Sequence, residues 1–390
     1  MQLTTAPDPV STTPSTTAPA IPGTTSPGTT AAVSASILNL LLPHHRTTDP
    51  HSGPLDASAF PGQLRRIAAF VRAGAPVVLT LPGFPCKSPN PAKVLGHLPD
   101  QGERLSLRFL DSLCRDIGRI HPPGARIVIC SDGHVFGDLV RVPDHHIDAY
   151  ADELRTLIAA SRLDRLSVFD LRDALRDSLG DLPYEARRAH VHDHYAPSLD
   201  ALRAEVRTDA RTLALYRGVT RFLVEDSAGF PGTRSALQRE CRLRAYGVIQ
   251  RSRAWGALIA EHHPGAVRLS IHPQPAGAAK FGIRLLDAPD AWTTPWHSSA
   301  LRRADGTWTL LPRAAAARLG REVHRDGRPS HFEQHEQADR SDRSDRSDPP
   351  RERIAPDPYL TVRHWTSGRP RTRDTRTPSA SAESSRGSWA

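Results

Sequence analysis

Two apolar runs joined by a helical stretch constrain this chain more than any other feature. Val77-Val78-Leu79-Thr80-Leu81 drops straight into the loop Pro82-Gly83-Phe84-Pro85-Cys86-Lys87-Ser88-Pro89-Asn90. Ala125-Arg126-Ile127-Val128-Ile129-Cys130 ends in Ser131-Asp132-Gly133-His134. Between them Leu105, Phe109, Leu113, Ile117 and Ile120 recur at helical spacing, stopped by Pro122-Pro123-Gly124. Strand, polar loop, helix, strand, polar loop is the order of an open parallel α/β sheet. In such sheets ligands sit beyond the carboxyl ends of the strands. The two loops would lie side by side there, one offering Lys87 and Ser88, the other Asp132 and His134.

The remainder extends that order. Residues 35–42 and 57–73 read as helices ahead of the first strand. After the Asp132 loop, Gly137-Asp138 reads as loose backbone, and a helix from Pro143-Asp144 carries Ile147, Tyr150, Leu154 and Ile158. Leu166–Asp170 supplies a third strand and completes a βαβαβ unit. From Arg172 to Gln250 the pattern is mainly helical, a lobe whose clearest periodicity lies between Gln238 and His262. Val267–Pro273 and Lys280–Leu285 alternate polar and apolar residues around a turn at Gly277. They predict a strand pair with Arg268, Ser270 and His272 on one face. Thr294-Pro295-Trp296-His297 falls in a loop, 306–311 is a strand, 313–319 a helix, and folded sequence stops at Phe332. The expected fold class is α/β: an open, mostly parallel sheet with a helical lobe and an antiparallel strand pair.

Composition shapes the ends. Residues 1–34 are almost entirely Thr, Ser, Pro, Ala and Gly, and 333–390 are polar, with an Arg-Ser-Asp repeat from Asp339 to Asp348. Neither stretch can bury enough apolar surface to offset its ordering entropy. Both are expected to be disordered tails around one α/β domain, 35–332. The formal charge of +9 comes mostly from arginines scattered among acids. Without a zinc-finger pattern or an aromatic single-strand platform, it points to a solvated or weakly anion-attracting surface rather than a specific nucleic-acid arm. It suits a small phosphorylated substrate equally well. Cys86, Cys114, Cys130 and Cys241 form no Cys-x-x-Cys pair, as expected of a reduced, cytoplasmic chain. The N-terminus lacks a signal-peptide layout and no stretch approaches a membrane span, so no membrane contact is expected.

Three clusters can meet beyond the strand ends: Lys87, Ser88 and Asn90; Ser131, Asp132 and His134; and Arg268, Ser270 and His272 with Lys280. Trp296 and His297 can wall the same cleft. Together they supply cations for a phosphate or carboxylate, a carboxylate beside a histidine, and hydroxyls for a sugar-like ligand. Each has a structural alternative: a solvated lysine, an aspartate capping a helix, a histidine bracing a turn. Their joint placement at strand ends favours the functional reading. No Gly-x-Gly-x-x-Gly follows a strand, and neither a phosphate-binding loop nor a Gly-x-Ser-x-Gly elbow is present. His190, His192 and His194 with Asp193 are read as an exposed polar loop, and no metal is expected.

Several blocks resemble the isocyanide (isonitrile) synthase family, also called the pyoverdine/dityrosine biosynthesis family. They are Pro85-Cys86-Lys87-Ser88-Pro89-Asn90, Lys93-Val94-Leu95-Gly96, Leu98-Pro99-Asp100, His121–Ala125, Ser131–Phe136 and Asp138-Leu139-Val140. Later blocks are Arg244-Ala245-Tyr246, Ile249-Gln250-Arg251-Ser252, Arg268–Pro273, Thr294–His297 and Gly327-Arg328-Pro329. The likeness spans roughly Ile37 to Phe332, with Cys86 standing where an aromatic or other apolar residue is expected. It implies a Rossmann-like fold and a reaction in which the α-amine of an amino acid, usually tyrosine or tryptophan, receives one carbon from ribulose 5-phosphate to become an isonitrile. It implies no metal or redox cofactor, and a downstream Fe(II)/2-oxoglutarate-dependent oxygenase as pathway partner. On that chemistry Lys87, Ser88 and an arginine (Arg244 or Arg268) would hold phosphate or carboxylate. Asp132 and His134 would shuttle protons, and Lys280 would polarise the ketone or neutralise an enolate. Three alternatives stay open: an N-formyl amino acid as product, a generic sugar-phosphate aldolase or isomerase, and a non-catalytic protein docking nucleic acid or an acidic partner through its basic tail.

Overall fold

The computed structural model describes residues 27–48, 53, 55–288 and 293–335, all within one compact unit. The expected tails therefore lie outside the described residues, apart from residues 27–34 and 333–335.

Helices α1 (Pro27–Leu41) and α2 (Pro61–Arg72) lead into strand β1 (Val77–Pro82). Helix α3 (Gln101–Ile120) then crosses to β2 (Ala125–Cys130), and α4 (Gly133–Val140) and α5 (Asp144–Ala160) lead to β3 (Leu166–Phe169). Short helices α6 (Leu171–Ala174) and α7 (Arg176–Leu179) open a lobe of α8 (Tyr184–Tyr195), α9 (Leu199–Thr208), α10 (Ala210–Asp226) and α11 (Arg234–His262). The chain returns through β4 (Val267–Ser270) and β5 (Phe281–Gly282), then β6 (Ser299–Arg302), β7 (Trp308–Leu311), α12 (Arg313–Leu319), β8 (Gly320–Arg325) and β9 (Arg328–Gln334).

The main sheet has the order β3-β2-β1-β4-β5 and every pairing in it is parallel. Because both faces are covered, β1, β2, β4 and β5 are buried at most positions, as their apolar character requires, while the edge strand β3 is buried only at Leu166. One face packs Leu79, Leu81, Ile127 and Ile129 against Leu107, Leu110 and Ile117 of α3, with Ile37, Ile67 and Leu154 from α1, α2 and α5. The other packs Val128 and Cys130 against Trp255, Leu258 and Ile259 of α11. Each such fully buried side chain contributes about 1.5–3 kcal/mol. Helix α3 starts sharply because Asp100 caps it, accepting from the Gly102 N–H at 2.8 Å, while Glu103 reaches back to the Asp100 N–H at 2.9 Å. The chain leaves β1 to one side and β4 lies on the other, so the order reverses between them. A crevice opens at the carboxyl end of such a reversal.

Four expectations are corrected. Helix α1 begins at Pro27, because Thr30 and Ser34 are buried and the Ser34 hydroxyl donates to the Thr30 carbonyl at 2.7 Å. Strands β4 and β5 run parallel, Leu269 facing Phe281 and Ser270 facing Gly282, rather than as an antiparallel pair. The stretch 271–280 crosses over instead of turning tightly, and the Arg46 N–H bonds to Gly282 O on the far side. Antiparallel pairs occur instead as β6·β7 and β8·β9, within a second sheet of order β7-β6-β9-β8 whose strands β6, β8 and β9 the sequence pattern does not announce. Finally, the loose backbone expected at Gly137-Asp138 lies in α4, and His190–His194 lie in α8 rather than a loop.

Among the described residues no helix is long and apolar enough to cross a membrane. All four cysteines are buried free thiols.

Candidate active site

The loops after β1, β2 and β4 converge at the carboxyl edge of the sheet. Two contacts press the first two together. The Ser131 hydroxyl donates to the Phe84 carbonyl at 2.9 Å, and Gly133 lies so close to Pro85 that a Cβ there would run into the Pro85 carbonyl oxygen. Phe84 is held in the left-handed region at φ 54°, fully buried and packed on Trp296 at 5.0 Å between ring centroids. A bulky residue there is strained by roughly 1–2 kcal/mol, so the packing over-determines the loop. Gly133→Ala is expected to force the two loops apart, costing about 1–3 kcal/mol of stability. Urea unfolding checks the loss, and turnover should fall with it because Asp132 is the neighbouring residue.

Asp132 sits at the tip of β2 and precedes α4 without capping it through its side chain. The residue is half-buried, so solvent still reaches it. Burial pushes its pKa up to about 7, against a smaller opposing pull from its own backbone N–H and from Lys280. Lys280, on the far wall after β4, has its own pKa lowered by burial and by Arg268, with Asp132 acting in the other direction. The two charges feel each other without forming an ion pair. Among the described residues no hydrogen bond or ion pair engages either side chain, its own backbone aside. A carboxyl that titrates near neutrality, within the field of an uncommitted ammonium, has the chemistry needed to exchange protons beside a bound anion.

Arg268 borders this pair, half-buried, with one guanidinium nitrogen donating to the Gly256 carbonyl at 3.2 Å. His272 stands exposed on the rim, its pKa lowered by the surrounding protein and by the cations Arg46 and Lys280. His297 lies beyond it, and its charge is coupled to those of His272, Lys87, Lys93 and Asp226. Cys86 is buried between the charges of Asp132 and Asp226, its thiol pushed far up by burial and by both carboxylates.

Other expected site residues are placed elsewhere. The Lys87 side chain is wholly buried, 2.8 Å from both Asp100 and Glu103 and 2.9 Å from the Pro295 carbonyl. Burial lowers its pKa, but the two carboxylates more than offset that and leave it raised. His134 points away from Asp132: it stacks on Tyr184 at 3.6 Å between ring centroids and lies 3.3 Å from Asp148. Arg244 is spent on the Leu139 carbonyl and on Glu240. Ser88 Oγ accepts from the Asn90 N–H at 3.1 Å and braces the loop internally, while the Asn90 amide donates to the Glu225 carbonyl at 2.8 Å and ties the loop to α10. Ser270 Oγ accepts from the His272 N–H at 3.1 Å, and Trp296 is 2 % exposed beneath Gly83. Neither Asp226 nor Lys93 was singled out from the sequence for chemistry. Lys93 lies in a block that carries the family likeness, whereas nothing around Asp226 announces it. Among the described residues no group of three or more His, Cys, Asp or Glu is placed to hold a metal.

A profile of the pyoverdine/dityrosine biosynthesis protein family matches residues 67–323, a span that takes in β1, β2, β4 and every residue of the recess. The chain belongs to that family. An L-tyrosine isonitrile synthase of Pseudomonas aeruginosa is 48% identical over 273 residues, covering 69% of this chain and 83% of the relative. An L-tryptophan isonitrile synthase of Fischerella ambigua is 38% identical over 307 residues, 77% of this chain and 91% of the relative. The crystal structure of the PvcA protein from Pseudomonas aeruginosa superposes with a TM-score of 0.72 at 44% identity, covering 78% of this chain and all of that one (100%). These homologues support an enzyme of the isonitrile synthase kind, and the Rossmann-like fold expected of the family is the one observed.

Proposed function

We propose that this pyoverdine/dityrosine family member converts the α-amine of an aromatic L-amino acid, tyrosine or tryptophan, to an isonitrile with ribulose 5-phosphate as carbon donor. The observation that carries the reading is the uncommitted Asp132–Lys280 pair at the switch point of the sheet. Condensation of an amine with a ketone needs a proton delivered to the departing hydroxyl, and the later eliminations need protons removed. A carboxyl with a pKa near neutrality does either without a large energetic penalty. Lys280, with Arg268 beside it, is suited to hold the anionic end of the sugar phosphate or to neutralise an enolate as it forms. Lys87, locked between Asp100 and Glu103, positions the start of α3 and the loop that faces them. The product acid would pass to an Fe(II)/2-oxoglutarate-dependent oxygenase acting next in a secondary-metabolite pathway.

The test is a screen of amino acids with ribulose 5-phosphate labelled at its ketone carbon, read by mass spectrometry. The expected result is a tyrosine- or tryptophan-derived isonitrile that carries the label. A labelled N-formyl product, with hydrolysis during work-up excluded, would reassign the outcome. Consumption of the sugar phosphate without any amine would make the protein an aldolase or isomerase. No turnover from folded protein would remove the enzymatic reading.

A further inference from the structure

Next to His272, which itself neighbours Lys280, lies a second cluster that the proposed reaction has not yet used. His297 belongs to the short helical turn Pro295–His297, whose position is fixed by Trp296 in the core and by the Ser88 N–H donating to the Trp296 carbonyl at 2.8 Å. Its imidazole is held on two sides. Nδ1 lies 3.2 Å from the Thr294 hydroxyl, and Nε2 lies 3.8 Å from Asp226 Oδ2. Asp226 is the last residue of α10, and its side chain is 4% exposed. Its Oδ1 takes an ion pair from Lys93 at 2.5 Å, while Oδ2 is buried with no hydrogen-bond partner. A buried carboxylate oxygen without a donor is costly, by about 1–3 kcal/mol or more. It persists here aimed at an imidazole less than an ångström beyond hydrogen-bonding range. The imidazole itself is 29% exposed, so a small molecule can reach it.

We propose that His297 is a second proton-transfer group of the site, held between the Thr294 hydroxyl and the Asp226 carboxylate, with Asp226 as its positioning residue. The proposal rests on the isonitrile synthase reading and adds residues to it. A carboxylate beside one ring nitrogen fixes the proton there and leaves the other nitrogen as acceptor. With Nε2–H directed at Asp226 Oδ2, Nδ1 receives a substrate proton directly or through the rotatable Thr294 hydroxyl. The N–H or C–H bonding pair stays on the substrate, and the new imidazolium is compensated by Asp226. The charged groups around the ring are Asp226 from α10 and Lys93 and Lys87 from the loop after β1, with the titratable but neutral His272 from the stretch after β4. Burial, with the cations Lys93 and Lys87, outweighs Asp226 and holds the resting imidazole neutral, with its pKa down to about 4. The site thus sets a carboxyl raised toward neutrality against an imidazole lowered away from it, and such divergence separates an acid from a base.

Two measurements test this on the full chain. The first needs no turnover: in protein labelled with ¹⁵N-histidine, the His297 signal, assigned by its absence from His297→Gln, should report the single Nε2–H tautomer. Asp226→Asn should convert it to a mixture. A wild-type His297 already in mixed or Nδ1–H form overturns the proposal. The second is kinetic. His297→Ala should lower kcat on the order of 10²-fold, with KM for both substrates nearly unchanged, and added imidazole should restore part of the loss. Asp226→Asn should lower kcat at least about tenfold, and Asp226→Glu should recover some of it. Full kcat in Asp226→Asn, or no imidazole rescue of folded His297→Ala, overturns the proposal. A wild type that keeps the single tautomer yet makes no isonitrile would instead sink the reaction assigned above.

Discussion

Asp132→Asn is expected to lose turnover by about 10²–10⁴-fold and, at the same time, to become more stable than the wild type above pH 7. The two effects have one cause. Folding moves the pKa of the Asp132 carboxyl from its ordinary 3.8 to about 7, chiefly by burial. Between those values the folded state binds a proton that the unfolded state has released, so stability falls as pH rises through the interval. The cost is absent below about pH 4 and fully present above about pH 7. Asparagine keeps the shape and cannot ionise, so it removes that cost. The gain should be roughly 1–3 kcal/mol at pH 8, shrinking to nothing at pH 4. Urea midpoints of both proteins at the two pH values check the sign. Kinetics supply an independent check: kcat/KM of the wild type should inflect near pH 7, and the residual activity of Asp132→Asn should not. An active Asp132→Asn, or one less stable than wild type at pH 8, would make Asp132 a structural residue.

Much of the scaffold was legible because local pattern and final environment agree. The apolar runs at 77–81 and 125–130 are the observed strands to within a residue, since strands covered on both faces are apolar at nearly every position. Alternation at 267–285 reveals two extended segments but not which way they pair. The Arg46 backbone, which bonds to Gly282 from far away in the chain, is beyond the reach of a local pattern. Strand β8, Gly-Arg-Glu-Val-His-Arg, has almost no apolar content and is made a strand by β9. The site shows the same division. Asp132 and Lys280 were readable as polar residues at strand ends. His134 parts from Asp132 for a geometric reason: with 133–140 helical, residues two apart do not face each other, so Asp132 stays half-buried while His134 turns inward onto Tyr184. Asp226 was invisible because its meaning comes wholly from Lys93 and His297, neither of them near it in sequence.

Lys87→Met should unfold the protein more readily by about 3–5 kcal/mol, the largest stability loss expected of any single change here. The ammonium is enclosed by Asp100 and Glu103 at 2.8 Å each, with no exposed side-chain surface. Tyr150, itself buried, donates to the second oxygen of Glu103 at 3.2 Å. Removing the cation leaves two carboxylates buried side by side at the start of α3, which is far worse than removing an exposed charge. Even with Lys87 present, burial raises the Asp100 pKa to about 7, and the lysine acts to lower it. Without the lysine, Asp100 loses the cation that lowers its pKa and should take up a proton on folding more readily. The deficit of Lys87→Met should therefore be greatest at high pH and should narrow as pH falls and Asp100 is neutralised. Adding Glu103→Gln to Lys87→Met removes one stranded charge, so the double variant should be more stable than Lys87→Met alone. That non-additivity, measured as a double-mutant cycle in urea, identifies the ion pair as the source of the loss. If Lys87→Met instead melts like the wild type and lacks only turnover, the lysine is a reacting group rather than a brace. The enclosed triad would then have to open when substrate binds, exposing an ammonium that the resting structure keeps fully engaged.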